Sequence, residues 1–202
     1  MRIRTSPDQT RNRLNIAIDF DATIANTNLV KAAWIKENLG LEVPSSRCGR
    51  TNCEPIIGIA SYEKMAELVY GDKATALTPP IQGAIEAIHS LARRASLFVV
   101  TNRCDSNVQW AESWLEKQGV CRQVEAIVSA ARTTKTQICA DSGVDILLDD
   151  DIRHRSTNSK LKFVLFDPYG NGSSIWNVDR VQTWQEFVDF VEAFPVNSLL
   201  RR

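Results

Sequence analysis

The sequence predicts a three-layer α/β domain: a Rossmann-like parallel sheet with helices on both faces and a small helical cap inserted after the first strand. Three observations lead there. Short apolar runs alternate with segments of helical spacing along most of the 202 residues, the pattern of βαβ units joined by right-handed crossovers. Several of those runs end in polar, potentially reactive residues, as strands do when a parallel sheet gathers a ligand crevice at their carboxyl ends. Residues 26–78, between the first run and the second, show helical character without a strand.

The first strand is Leu14-Asn15-Ile16-Ala17-Ile18, ending in Asp19-Phe20-Asp21-Ala22-Thr23. Asp19 and Asp21 are two apart, so they lean the same way while the backbone stays extended. Thr27 to Leu39 reads as a helix that Gly40 stops. Leu41 to Gly58 breaks pattern at Pro44, Gly49, Pro55 and Gly58, and Ser61 to Tyr70 resumes a helix. Pro79 and Pro80 open a helix running to about Arg94, with Ile81, Ala84, Ile85, Ile88 and Leu91 at helical spacing. It feeds Leu97-Phe98-Val99-Val100, a run suited to a strand covered on both faces, which ends in Thr101-Asn102-Arg103.

Ser106-x-x-Gln109 then signals a capped helix, with Trp114 and Leu115 facing the sheet before Gly119. Val124 to Val128 is a third strand. Thr134-x-x-Gln137 caps a helix that stops by Gly143, and Val144 to Leu148 is a fourth strand ending in Asp149-Asp150-Asp151. Leu161 to Phe166 is a fifth, followed by the Asp167-Pro168-Tyr169-Gly170 turn, and Thr183-x-x-Glu186 caps the last helix. The expected organisation is a core of 14–25 and 79–194, a cap of 26–78, a flexible arm of 1–13 and a tail of 195–202.

Composition narrows the function classes. A hydrophobic content of 44% is ordinary for a globular chain. Lys+Arg and Asp+Glu balance at 24 each, so no global basic field points to nucleic acid or an anionic membrane. No run approaches the roughly 20 apolar residues of a membrane span. The first 13 residues, with Arg2, Arg4, Arg11 and Arg13, lack the apolar segment of a secretory signal. Five cysteines, an odd number, fit reduced thiols, and Cys48 and Cys53 have no second ligand pair for zinc. The expected location is the cytoplasm, and the expected partner is a small molecule rather than a membrane or nucleic acid.

A parallel sheet would collect Asp19, Asp21 and Thr23, then Thr101 and Asn102, then Asp149 and Asp150, at one edge, with Lys135 at a helix start beside them. Three or four carboxylates, one ammonium and a hydroxyl suit Mg²⁺ together with phosphate. The ion is hard and takes oxygen ligands, and the phosphate oxygens find donors in Thr101, the N–H groups around it and Lys135.

In order and in strand context, Asp19-Phe20-Asp21-Ala22-Thr23, Thr101, Lys135 and Asp149-Asp150 resemble the four motifs of the haloacid dehalogenase (HAD) superfamily of phosphotransferases. The resemblance spans about Asn15 to Phe194. It implies an aspartyl-phosphate mechanism in which Asp19 attacks phosphorus, while Asp21 protonates the leaving oxygen and later activates water. It further implies that Mg²⁺ binds the Asp19 carboxylate, the Asp21 backbone carbonyl and Asp149, assisted by Asp150, and that Lys135 holds nucleophile and phosphate together. The insertion between the first two motifs is the family's cap position. The segments Phe163 to Asn171 and Val181 to Glu186 are similar to the closing part of the 5'(3')-deoxyribonucleotidase branch, although Ala22-Thr23 stands where that branch usually carries Gly-Val.

The expectation is therefore a Mg²⁺-dependent phosphomonoester hydrolase acting on a nucleoside monophosphate or another small phosphorylated metabolite. The alternatives are a phosphatase of nucleic-acid ends or phosphoproteins, and a phosphate-binding regulatory protein without turnover. Thr23, Thr101, Asn102, Arg103 and Lys135 are the candidate phosphate or substrate contacts. Arg103 has a second reading as a rim salt bridge. In the cap, Arg47, Arg50 and Asn52 are candidate specificity groups, and Trp34 and Tyr62 candidate stacking rings; His154 trails the acidic run and His89 reads as structural.

Overall fold

Strand β1 (Leu14–Ile18) is buried along its whole length, because it lies in the middle of the sheet and is covered on both faces. The computed structural model describes residues 13–155, 160–171 and 177–195, and most of the arm and tail predicted above lie outside them. The remaining strands are β2 (Ala95–Thr101), β3 (Val124–Ser129), β4 (Ile146–Asp149), β5 (Lys162–Phe166) and β6 (Asp179–Val181). They form one six-stranded sheet in the order β3-β2-β1-β4-β5-β6, and every adjacent pair is parallel.

Side-chain alternation sorts the core into two layers. Ile16 and Ile18 point into a cluster with Ile88, Trp114, Trp184 and Phe187. These come from α5 (Ala84–Leu91), α6 (Asp105–Lys117) and α8 (Trp184–Ala193). Ala17, Phe98, Val100 and Leu147 point the other way, toward Cys139 of α7 (Lys135–Asp141). The capping signals at Thr134 and Thr183 are used: their hydroxyls accept from the backbone N–H of Gln137 and Glu186. The one at Ser106 is not. The helix begins at Asp105 behind Cys104, and Ser106 Oγ meets Cys104 Sγ instead.

Four α-helices lie between β1 and α5: α1 (Thr27–Leu39), α2 (Arg50–Ile57), α3 (Ile59–Val69) and α4 (Asp72–Leu77). They carry their own cluster of Ile35, Val43, Cys48, Cys53, Tyr62, Met65 and Val69. Pro79 and Pro80 do not open a helix as predicted. Asn26 N–H donates to the Pro79 carbonyl and Ile81 N–H to Ile24, so the outgoing and returning chains pair, with Ala25 opposite Pro80. Gly83, at φ 81°, then redirects the chain before α5, a conformation glycine adopts at little cost. Two buried indoles tie these crossings to the core: Trp184 Nε1 donates to the Thr23 carbonyl at 3.0 Å and Trp114 Nε1 to Thr78 at 2.8 Å. No described helix is long and apolar enough to cross a membrane.

Candidate active site

Register brings the acidic residues together. Ile18 pairs with Leu148 and Val99, so Asp19, one residue on, falls beside Asp149, and its N–H donates to the Leu148 carbonyl at 2.9 Å. Phe20 then turns the chain into the core, edge-on to Trp114 with ring centroids 5.3 Å apart. Ala22 takes φ 63°, a left-handed turn that closes when its N–H donates to the Ala25 carbonyl at 2.8 Å. For a residue with a Cβ that conformation costs about 1–2 kcal/mol, which the surrounding hydrogen bonds and burial sustain.

Lys135, at the start of α7 and only 2% exposed, reaches between two strand ends. Its Nζ lies 2.6 Å from Asp19 Oδ1 and 2.7 Å from Asp149 Oδ2. Asp149 is fully buried, and its other oxygen accepts from Asp151 N–H at 2.9 Å. Oxygens of Asp19, Asp149 and the half-buried Asp150 lie within 4.8 Å of one another. One ammonium does not neutralise three carboxylates. Burial pushes Asp19 up to about 7 against the pull of Lys135, with Asp149 and Asp21 adding to the push. Burial, then Asp19 and Asp149, carries Asp150 well above the usual carboxylate range. A crowded, buried, all-oxygen donor set of this kind fits a hard divalent cation.

The sign of the pH effect follows. In metal-free protein Asp19 keeps a proton up to about 7 that the unfolded chain releases near 3.8, so stability falls as pH rises through that window. A divalent cation would favour the ionised trio. The rise in Tm with added Mg²⁺ is therefore expected to be larger at pH 8 than at pH 5, as scanning calorimetry in Mg²⁺ and in EDTA reads directly; an equal or smaller rise at pH 8 would count against a cation there.

Asp21 belongs to a different network. Arg103 forks onto it, with Nε to Oδ2 at 2.9 Å and Nη2 to Oδ1 at 2.8 Å, while Nη1 donates to Thr75 Oγ1 of α4 at 2.7 Å. Arg103 also stacks between the Phe20 and Tyr70 rings, at 4.8 and 5.3 Å from their centroids. It is thus a buried strut between cap and core, and the reading of Arg103 as a rim salt bridge is corrected: its side chain is 0% exposed.

The other predicted residues separate by depth. Asp19, Asp21, Lys135, Asp149, Asp150, Asn102 and Arg103 border one cavity of about 440 Å³. Thr23 and Thr101 lie beneath its wall: Thr23 Oγ1 points at Asp19 Oδ2 at 3.4 Å, and Thr101 Oγ1 accepts from Arg103 N–H at 3.2 Å. Arg50 and Tyr62 of the cap reach the cavity, as does His154, which meets Asn102 Nδ2 at 2.9 Å. Asn52 lines a smaller neighbouring cavity of about 200 Å³. Trp34 packs on the cap's own cluster. Lys31 and Tyr70, which the sequence reading passed over, also face the main cavity. Lys31 lies inside the helix Thr27–Leu39, where helical spacing alone gives a single lysine no reason to stand out.

Parallel strands in this order, with the acid-bearing loops at their carboxyl ends and a helical insertion after the first, make a fold shared with solved structures described as haloacid dehalogenase-like. The chain superposes on a haloacid dehalogenase-like family protein from Streptococcus pneumoniae with a TM-score of 0.66 at 11% identity, covering 89% of this chain and 99% of that one. A protein described as a predicted phosphoglycolate phosphatase from Haemophilus somnus gives 0.59 at 13%, covering 91% and 100%. The magnesium-bound structure of YfnB from Bacillus subtilis, named a HAD-hydrolase, gives 0.58 at 12%, covering 90% and 99%. No protein-family model and no curated protein sequence matches the chain.

Proposed function

We propose that the protein is a Mg²⁺-dependent phosphomonoester hydrolase acting through an aspartyl-phosphate intermediate, on a nucleoside monophosphate or another small phosphorylated metabolite. The observation that carries this reading is the Asp19 carboxylate, buried, pinned by Lys135 at 2.6 Å and grouped with Asp149 and Asp150. In this reading an Asp19 oxygen attacks phosphorus as the ester P–O bond breaks, and Asp21 gives the leaving oxygen its proton. Water then attacks the phosphorus of the aspartyl phosphate, releasing inorganic phosphate and restoring Asp19, while Asp21 takes the water's proton. Lys135 holds the nucleophile in place and offsets charge on the transferring group. Asp19, Asp149, Asp150 and the Asp21 carbonyl would hold Mg²⁺, whose role when bound is to offset the negative charge of the phosphoryl oxygens and carboxylates.

The Arg103 fork adds a condition. The fork takes one acceptor site on each Asp21 oxygen and leaves others for a proton, so it aims the carboxylate, and the same guanidinium is anchored on the cap at Thr75. Cap position and the aim of Asp21 are therefore linked. A cap that closes over the cavity would also exclude water from the first step. The magnesium-bound YfnB structure is described as revealing interdomain movement, which supports a mobile cap in this fold.

The test is phosphate release from a panel of nucleoside 5'- and 3'-monophosphates, sugar phosphates, short phosphorylated hydroxyacids and an aryl phosphate, with Mg²⁺ and with EDTA. Release that needs the metal is the expected result, and preference for deoxynucleotides would support the nucleotidase branch. Absence of release from every member by metal-replete protein would overturn the small-molecule reading in favour of a polymeric substrate or phosphate binding without turnover.

A further inference from the structure

Helix α1 places a second buried cation over the cavity, and the phosphate chemistry above does not use it. Lys31 is 4% exposed, and it borders the same space as Asp19, Asp21 and Asp150. Its hydrogen bond to Asn28 Oδ1 is long, 3.4 Å. Beyond that it meets the rings of Tyr70 and Tyr62, whose centroids lie 5.5 and 5.9 Å from the ammonium. Burial keeps the Tyr70 phenol protonated. Burial works against the charge on Lys31, and Asp21 and Asp150 favour it.

Arg103 forks onto Asp21, and Asp150, in the acidic trio, acts on Lys31 only at longer range; among the described residues no carboxylate forms an ion pair with Lys31. A desolvated ammonium surrounded by amide and phenol groups is costly to maintain unless an anion arrives to meet it. Position indicates which anion. Lys135 sits on the core wall between Asp19 and Asp149, where the transferring phosphoryl group has to lie. Lys31, on helix α1 of the cap, lines the same cavity as Asp21 and Asp150, which in the reading above is where the leaving group lies. A cavity of about 440 Å³ holds a leaving group of several heavy atoms as well as the phosphate.

We propose that Lys31 is the subsite for a second negative group on the leaving alcohol, so that the preferred substrates are small phosphomonoesters carrying a carboxylate or a second phosphate. This rests on the phosphatase reading of the site and deepens it. Lys31 donates charge-assisted hydrogen bonds to that group, Tyr62 and Tyr70 wall the cation off from water, and Asp21 faces the ester oxygen between the two cations. Nucleosides, whose sugar and base carry no such charge, gain nothing from Lys31.

Non-hydrolysable ligands test this without turnover. Phosphonoacetate and its longer phosphonocarboxylate homologues are titrated calorimetrically into metal-replete full-length protein beside the corresponding neutral amides, and a series of alkyl bisphosphonates forms a third arm. One charge-assisted contact predicts that the best acid binds about 10- to 100-fold more tightly than its amide. In Lys31→Met that ratio is expected to fall to about one, while the melting temperature does not fall, because an apolar chain of similar length replaces the ammonium among the rings. Should the Met variant not fold, Lys31→Gln carries the same comparison. Tighter binding of the bisphosphonates assigns the second group as phosphate, and the reverse order assigns a carboxylate. Equal binding of acid and amide by the wild type, or an unchanged ratio in the variant, overturns the proposal. Turnover in the substrate panel with no acid preference would remove this subsite and leave the phosphatase reading standing; acid preference without turnover would do the opposite.

Discussion

Asp19→Asn is expected to lower phosphate release by at least about 10⁴-fold, the scale on which removal of a covalent nucleophile is felt, and to leave the fold intact. The amide has nearly the shape of the carboxylate. Its oxygen still accepts from Lys135 Nζ, now 2.6 Å from Asp19 Oδ1, and Thr23 still stands at 3.4 Å from the other branch. The local charge balance improves: two carboxylates in place of three then share the buried ammonium. Metal-free Asp19→Asn should therefore melt no lower than the wild type, since the proton that Asp19 holds up to about 7 marks the cost of ionising it there. A lost metal ligand also slows turnover, so activity is measured at saturating Mg²⁺, with metal affinity determined separately by calorimetry. Activity that recovers to within about tenfold of wild type at high Mg²⁺ would assign Asp19 to metal binding alone and remove it as nucleophile.

Much of this site was legible in the sequence because a parallel sheet converts strand order into proximity. Each strand need only end in the right residue: Asp19 after Ile18 and Asp149 after Leu148 come level through one register, and Lys135 follows from a Thr134 cap that forms as its spacing predicts. What stayed hidden depends on contacts that no local pattern encodes. The predicted break over Leu41 to Gly58 contains α2, which keeps Pro55 inside it and ends at Gly58 with φ 80°; packing of Cys53 into the cap cluster holds a segment that propensity alone would leave irregular. Strand β6, three residues long with only Val181 buried, carries too little alternation to be seen. The Pro79-Pro80 pair has the look of a helix start, yet it continues an extended crossing because Asn26 and Ile24 supply its partners. Arg103's place after Thr101 suggests a phosphate contact, whereas its engagement with Asp21 and Thr75 joins residues 82 and 28 positions apart in the chain.

Arg103→Met is expected to be the most destabilising of the substitutions considered, at about 3–5 kcal/mol, the range for removing one partner of a buried ion pair. Three losses coincide. Asp21, with a side chain only 14% exposed, loses the fork that met both oxygens. Thr75 Oγ1 loses a 2.7 Å donor from its nearly closed position under the cap. The Phe20 and Tyr70 rings lose the cation that lies between them. Arg103→Lys should not rescue the wild-type stability, since one ammonium cannot span both Asp21 oxygens and Thr75 together. If the fork is what matters, the Arg103→Met/Asp21→Asn double variant costs far less than the two single changes added, and the double-mutant cycle gives a coupling of about 1–3 kcal/mol. The catalytic readout is separate: with Arg103 gone, Asp21 is no longer aimed, and kcat should fall more than KM rises. Denaturant midpoints for the four proteins decide the matter. A loss below about 1 kcal/mol, or additive single changes, would return Arg103 to the class of surface ion pairs and uncouple the cap from Asp21.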